Sequence, residues 1–84
     1  MSQRNRIVPK YFQVEQLLRG RVSSLLPGSP LPAEPILAKE YGVSRATLRV
    51  AVDALVADGL LNRIQGRGTF ASQTRLDIPV GYQA

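Results

Sequence analysis

Neither cysteine nor histidine occurs among the 84 residues. Their absence excludes disulfides and thiol catalysis, removes the imidazole that normally titrates near neutrality, and takes away the usual ligands of zinc and other transition metals. No metal and no cofactor is therefore expected, and the lack of disulfides fits a reducing compartment. No apolar run approaches the roughly 18 residues needed to cross a bilayer, and Met1 to Arg6 is polar, unlike a secretion signal. The expectation is a soluble cytoplasmic protein with no membrane partner. A phosphate-cradling G-x-x-x-x-G-K-S/T loop is also missing, and the few carboxylates, such as Glu34, Glu40, Asp53 and Asp58, read as solvated or helix-terminal charges. An enzyme is not expected.

What is present begins with charge. Eleven Lys and Arg stand against six Asp and Glu, a formal net charge of +5, which suits a polyanion binder. Ribosomal, membrane-surface and heparin-binding proteins share that balance, so charge alone assigns nothing. A chain of this length makes one small domain that buries only about 60–65% of its surface.

Apolar residues recur at helical spacing from Tyr11 to Leu25, through Val14, Leu17, Leu18 and Val22, predicting a first helix entered at Pro9 and stopped by Pro27-Gly28-Ser29-Pro30. After an extended link through Leu31, a second helix is predicted over Glu34 to Tyr41, with Ile36, Leu37 and Ala38 inward and Gly42 as its left-handed close. Its start lacks a capping box, since Ala33 and Ile36 occupy the two slots, a loss of about 1 kcal/mol that Pro35 in the first turn partly offsets. A third helix runs from a Ser44 cap to a stop at Gly59, with Leu48, Ala51, Val52 and Leu55 as its apolar stripe. The short join Tyr41-Gly42-Val43-Ser44 makes helices two and three a helix-turn-helix. Leu60 to Gln65 and Thr69 to Ser72 then read as strands of a hairpin with Gly66-Arg67-Gly68 at its tip. The fold expected is mainly α with a small β-hairpin wing, a winged helix-turn-helix over residues 9–72. Residues 1–8 are expected as a disordered arm and 73–84 as a linker or tail.

The arginines then take on a meaning. Capping by Ser44 turns Arg45, Ala46, Arg49, Val50 and Asp53 away from the apolar stripe, where a major groove receives them. An arginine fork donates two hydrogen bonds to guanine O6 and N7, and a match discriminates by about 1–3 kcal/mol. The alternative is a solvated helix face, which two arginines at the start of this particular helix disfavour. Ser44 and Thr47, beside the free N–H groups of the helix start, suit a phosphate, although Ser44 is first a cap. Arg67 between two glycines forms a narrow cationic tip suited to a minor groove. The run Gly66-Arg67-Gly68-Thr69-Phe70-Ala71 also matches G-x-G-x-x-G/A, but that fingerprint needs a following helix where Thr69-Phe70 favour a strand.

Taken in order, Pro9-Lys10-Tyr11, Pro27-Gly28, Leu31-Pro32, Leu37-Ala38, Tyr41-Gly42-Val43-Ser44-Arg45, Thr47-Leu48-Arg49 and Gly66-Arg67-Gly68-Thr69-Phe70 resemble the GntR family of bacterial regulators, and the wing with Pro-Lys-Tyr looks like its HutC-type branch. The resemblance implies sequence-specific binding of double-stranded DNA, with helix three in the major groove and the wing in the minor groove. It further implies a homodimer on a pseudo-palindromic operator, repression, and a small-molecule effector bound by a C-terminal domain lying outside this chain; the isolated domain is expected to be monomeric. By the same resemblance Arg45, Thr47 and Arg49 match the family's recognition-helix contacts and Arg67 with Gly68 its wing contacts; together with Lys10, Tyr11, Ser44, Ala46 and Thr69 these are the residues expected at DNA. Two departures stand out. Ala33-Glu34-Pro35-Ile36 replaces the family's common Ser-Glu-Arg-Glu, so its helix-two arginine contact is absent, and Val50, often polar in the family, either meets a thymine methyl or is neutral. The alternative function is a winged-helix module whose basic face meets an acidic protein.

Overall fold

The structure is a computed structural model that describes residues 8–73. The expected arm and tail lie outside these residues except for Val8 and Gln73, and both of those touch the fold. The Val8 carbonyl accepts from Gln13 Nε2 at 2.9 Å, and the Gln73 side chain lies over Gly28.

Helix α1 spans Lys10–Ser23, its first turn closed by N–H groups of Phe12 and Gln13 donating to the Pro9 carbonyl. It ends two residues before the predicted Leu25, because the Ser24 and Leu25 N–H groups turn back to Arg21 and Val22 in a tightened last turn ahead of Pro27. The predicted apolar stripe is also too wide. Val14, Leu18 and Val22 are buried, whereas Tyr11 and Leu17 stay 45% and 57% exposed. One i, i+4 row suffices to cover α3, and Leu17 falls beside that row rather than on it.

Helix α2 (Glu34–Tyr41) starts without a side-chain cap at Ala33, carries proline in its first turn, and closes at Gly42 with φ +69°, a conformation that a Cβ disfavours. Leu37 and Ala38 are inward as predicted; Ile36 is 58% exposed, since so short a helix turns only one narrow side to the core. Helix α3 (Arg45–Ala57) begins at Ser44, whose hydroxyl accepts the Thr47 N–H at 3.0 Å, and buries Leu48, Ala51, Val52 and Leu55.

Strands β1 (Leu61–Ile64) and β2 (Gly68–Ala71) pair antiparallel, with Leu61 opposite Ala71 and Arg63 opposite Thr69. Strand β1 is one residue shorter than predicted at each end, and β2 keeps four residues but is shifted by one toward the tip, so Gly68 joins it instead of the turn. The far edge of β2 is covered by the α1–α2 link. Leu31 N–H donates to the Thr69 carbonyl at 2.9 Å, Ala71 N–H donates to Ser29, and Pro30 bridges Phe70. Leu61 and Ala71 thus complete a core shared with α1 and α3, and the wing grows out of that core.

Candidate nucleic-acid interface

The cap that starts α3 also sets its outer face. Ser44 Oγ accepts from the Thr47 backbone and donates to Thr47 Oγ1 at 3.0 Å, which leaves the Thr47 hydroxyl proton for an outside acceptor. With the buried stripe fixed by Leu48, Ala51, Val52 and Leu55, the positions between them turn outward: Arg45, Ala46, Arg49, Val50 and Asp53 are all exposed. Of these, Arg45, Ala46 and Arg49 share an open surface with Glu34 and Pro35 at the start of α2.

Beyond that surface lies the wing. A turn over 65–67 closes with Arg67 N–H donating to the Ile64 carbonyl at 2.8 Å, and Gly66 and Gly68 take φ of +79° and +124°, which puts Arg67 at an exposed tip free of Cβ crowding. A cleft of about 570 Å³ runs between wing and helices, lined by Glu34, Arg49, Arg63, Gly66, Gly68 and Thr69 among others. Helix α3 and the wing tip therefore border one continuous face.

Charge on this face is sorted. Among the described residues, the two α1 arginines are committed to internal partners: Arg19 pairs with Glu15 at 2.7 Å and with Asp58, and Arg21 pairs with Glu40 at 2.9 Å and reaches the Tyr41 hydroxyl. Arg45 and Arg67 form no ion pair among the described residues, so within these their charge is available to a partner. Arg49 is intermediate, touching Glu34 Oε1 at 3.3 Å while 61% of its side chain stays exposed. The other Glu34 oxygen accepts from Arg63 Nε at 3.1 Å, and Arg63 Nη1 donates to Asp53 at 2.5 Å. Burial works against the charged Arg63, but its hydrogen bonds to Asp53 and Glu34 outweigh that and raise its pKa.

The structure brings Ser44, Arg45, Ala46, Thr47, Arg49, Arg67 and Gly68 to this face. Lys10 and Tyr11 are exposed at the start of α1. Thr69 is 9% exposed: it lines the cleft between wing and helices, and its carbonyl accepts from the Leu31 N–H at 2.9 Å. Arg63 carries no expectation from the sequence, and Glu34, expected as a solvated or helix-terminal charge, is the first residue of α2 and also bonds Arg49 and Arg63. Strand alternation held the signal, since counting inward from Leu61 by twos makes Arg63 an inward cation that needs carboxylate partners.

Comparison with known proteins agrees with this architecture. The family model for bacterial regulatory proteins, gntR family, matches residues 10–71. The HTH-type transcriptional repressor NagR of Bacillus subtilis is 40% identical over 72 residues, covering 83% of this chain and 30% of that protein. The mannosyl-D-glycerate transport/metabolism system repressor MngR of Escherichia coli is 38% identical over 74 residues, covering 86% of this chain and 31% of that protein. This chain thus spans about a third of the length of these relatives. The crystal structure of AraR(DBD) in complex with operator ORE1 superimposes with a TM-score of 0.74 at 40% identity, covering 79% of this chain and 83% of that one. Because the matched segment runs from the first residue of α1 to the last of β2, taking in every helix and strand described above, the chain belongs to the gntR family of bacterial regulatory proteins.

Proposed function

We propose that this chain is the operator-reading unit of a cytoplasmic transcriptional repressor, binding double-stranded DNA sequence-specifically with α3 in the major groove and the wing tip in the adjacent minor groove. The observation that carries this reading is the outward row of α3, where Arg45 is unpaired and Arg49 largely exposed, beside a glycine-flanked Arg67. Related repressors and the operator complex of a 40% identical domain support it. Arg45 and Arg49 read base edges; Ser44, Ala46 and Thr47 seat the start of the helix against the sugar-phosphate backbone; Arg67 and Gly68 enter the minor groove; Lys10 and Tyr11 touch phosphate. Thr69 acts only by holding Gly68 in register.

The remaining assignments belong to the same proposal. Residues 9–72 are the DNA-binding unit, residues 1–8 an arm, and residues 73–84 the path to an effector-binding half that also dimerises the protein on a pseudo-palindromic operator. Within this reading the chain is of the HutC-like branch, which the Gly-Arg-Gly-Thr-Phe wing and Pro9-Lys10-Tyr11 support.

The test is selection of bound sequences from a random duplex pool. Wild type is expected to enrich a defined half-site, and Arg49→Ala to lower specific affinity by about 1–3 kcal/mol and relax preference at one base pair. Equal discrimination by the two proteins refutes the role given to Arg49. Chemical shifts induced by duplex DNA that avoid α3 and the wing refute the interface as a whole and favour an acidic protein partner.

A further inference from the structure

On the inner side of β1, Leu61 faces the core and Arg63 stands one rung nearer the wing tip, opposite Thr69. A guanidinium placed there must find counter-charges within the fold, and it finds them on two other elements. Nε donates to Glu34 Oε2 on α2, and Nη1 donates to Asp53 Oδ1 on α3. Arg63 is thereby held at both ends, with 27% of its side chain exposed. Stability is a poor explanation for it. Its Nη2 is buried without a hydrogen-bond partner, and a partly buried ion pair gains little over a well-packed apolar residue of similar size.

Geometry gives a better one. Glu34 divides its carboxylate, giving one oxygen to the fixed Arg63 and the other, at the longer distance of 3.3 Å, to the exposed Arg49. Among the described residues Arg49 is engaged through Nη1 alone, so its Nε and Nη2 edge remains for a two-point contact with a guanine. Were Arg63 missing, Glu34, which is 19% exposed, would have Arg49 as its one cationic partner and would draw that guanidinium off the outward row.

We propose that Arg63 is a positioning residue for base reading by Arg49: through the carboxylate of Glu34 that the two share, the wing strand aims the recognition-helix arginine without touching DNA itself. The proposal rests on the reading that Arg49 contacts a base edge. It makes the wing a determinant of major-groove preference as well as of minor-groove contact.

Random-pool selection on the whole chain tests it with four proteins: wild type, Arg49→Ala, Arg63→Gln and Arg63→Lys. Arg49→Ala identifies the base pair that Arg49 reads. Arg63→Gln is expected to weaken preference at that same base pair about tenfold, leaving other positions unchanged. Arg63→Lys keeps the charge, but its single ammonium lacks the planar fork that spans Glu34 and Asp53 together, so Glu34 is no longer held in place and the same preference is expected to be lost while wild-type affinity for random duplex is retained. Wild-type preference at that base pair in both Arg63 variants overturns the proposal, as does an even loss across all positions accompanied by a lowered melting temperature, which marks a merely structural role. If Arg63→Gln does not fold, Arg63→Lys decides alone by the same criterion. A wild type with no preference, or an Arg49→Ala protein that selects as wild type does, refutes the reading of Arg49 itself and the proposal with it; a loss confined to Arg49→Ala refutes the proposal alone.

Discussion

At the scale of single residues, the side chains that matter most are those asked to do two jobs. Ser44 ends the turn and orders the first turn of the recognition helix through its bonds to Thr47. Ser44→Ala should cost about 1 kcal/mol of stability by urea denaturation, within the range of about 0.5–2 kcal/mol for lost N-caps, and should weaken DNA binding by freeing Thr47 to rotate. An unchanged unfolding midpoint would show that the cap is dispensable. Leu48, fully buried one turn along, is the opposite kind of residue: it has no exposed role, and Leu48→Ala should cost about 2–5 kcal/mol, enough to unfold much of so small a domain. Loss of cooperative thermal unfolding checks this.

At the scale of elements, the wing depends on what lies on both sides of it. A lone two-stranded hairpin is marginal in water, but here the α1–α2 link pairs with the outer edge of β2, Leu31 N–H donating to the Thr69 carbonyl and the Ser29 carbonyl accepting from Ala71 N–H, and Leu61 anchors β1 in the core. The tip is therefore presented rigidly. Arg67→Ala should leave stability within about 0.5 kcal/mol of wild type, as an exposed turn residue does, while reducing operator affinity and the preference for A·T pairs next to the major-groove half-site. Duplexes with the flanking A·T pairs replaced by G·C measure it; an equal response of wild type and Arg67→Ala to that replacement would remove the minor groove from the account.

Across the whole molecule, net charge and its sorting set the response to solvent. Each phosphate neutralised should contribute about −0.9 to the slope of log affinity against log salt, and several such contacts make binding fall steeply. The pH response should be flat by comparison. With no histidine or cysteine, no side chain has its ordinary titration range between about pH 6 and 7.5. The guanidiniums of Arg19, Arg21 and Arg63 have raised pKa values, chiefly through hydrogen bonds to Asp58 for Arg19 and Tyr41 for Arg21, and to Asp53 and Glu34 against the opposing burial of Arg63. A raised pKa favours the charged form, so what these pairs add to stability is fully present below the unfolded-state value and is lost only as pH climbs through the folded one, far into the alkaline range. Gel-shift affinities at pH 6 and 7.5 should agree within about twofold at fixed salt; a tenfold difference would mean that a group outside this reading titrates.

The sequence by itself determined the helices, their order and the outward row of α3. Apolar spacing, a serine cap and punctuating Gly and Pro act through local backbone geometry, which a single chain displays directly. It overstated the apolar faces at Tyr11, Leu17 and Ile36, because how wide a stripe becomes buried depends on the neighbour that covers it. Only the tertiary structure decided that Thr69 turns inward, that the α1–α2 link forms the far edge of the wing, and that Arg63, Glu34, Asp53 and Arg49 meet. Those groups lie between 10 and 29 positions from their partners, so their pairing is set by how α2, α3 and β1 dock, and docking is a property of the packed core rather than of any local run of residues.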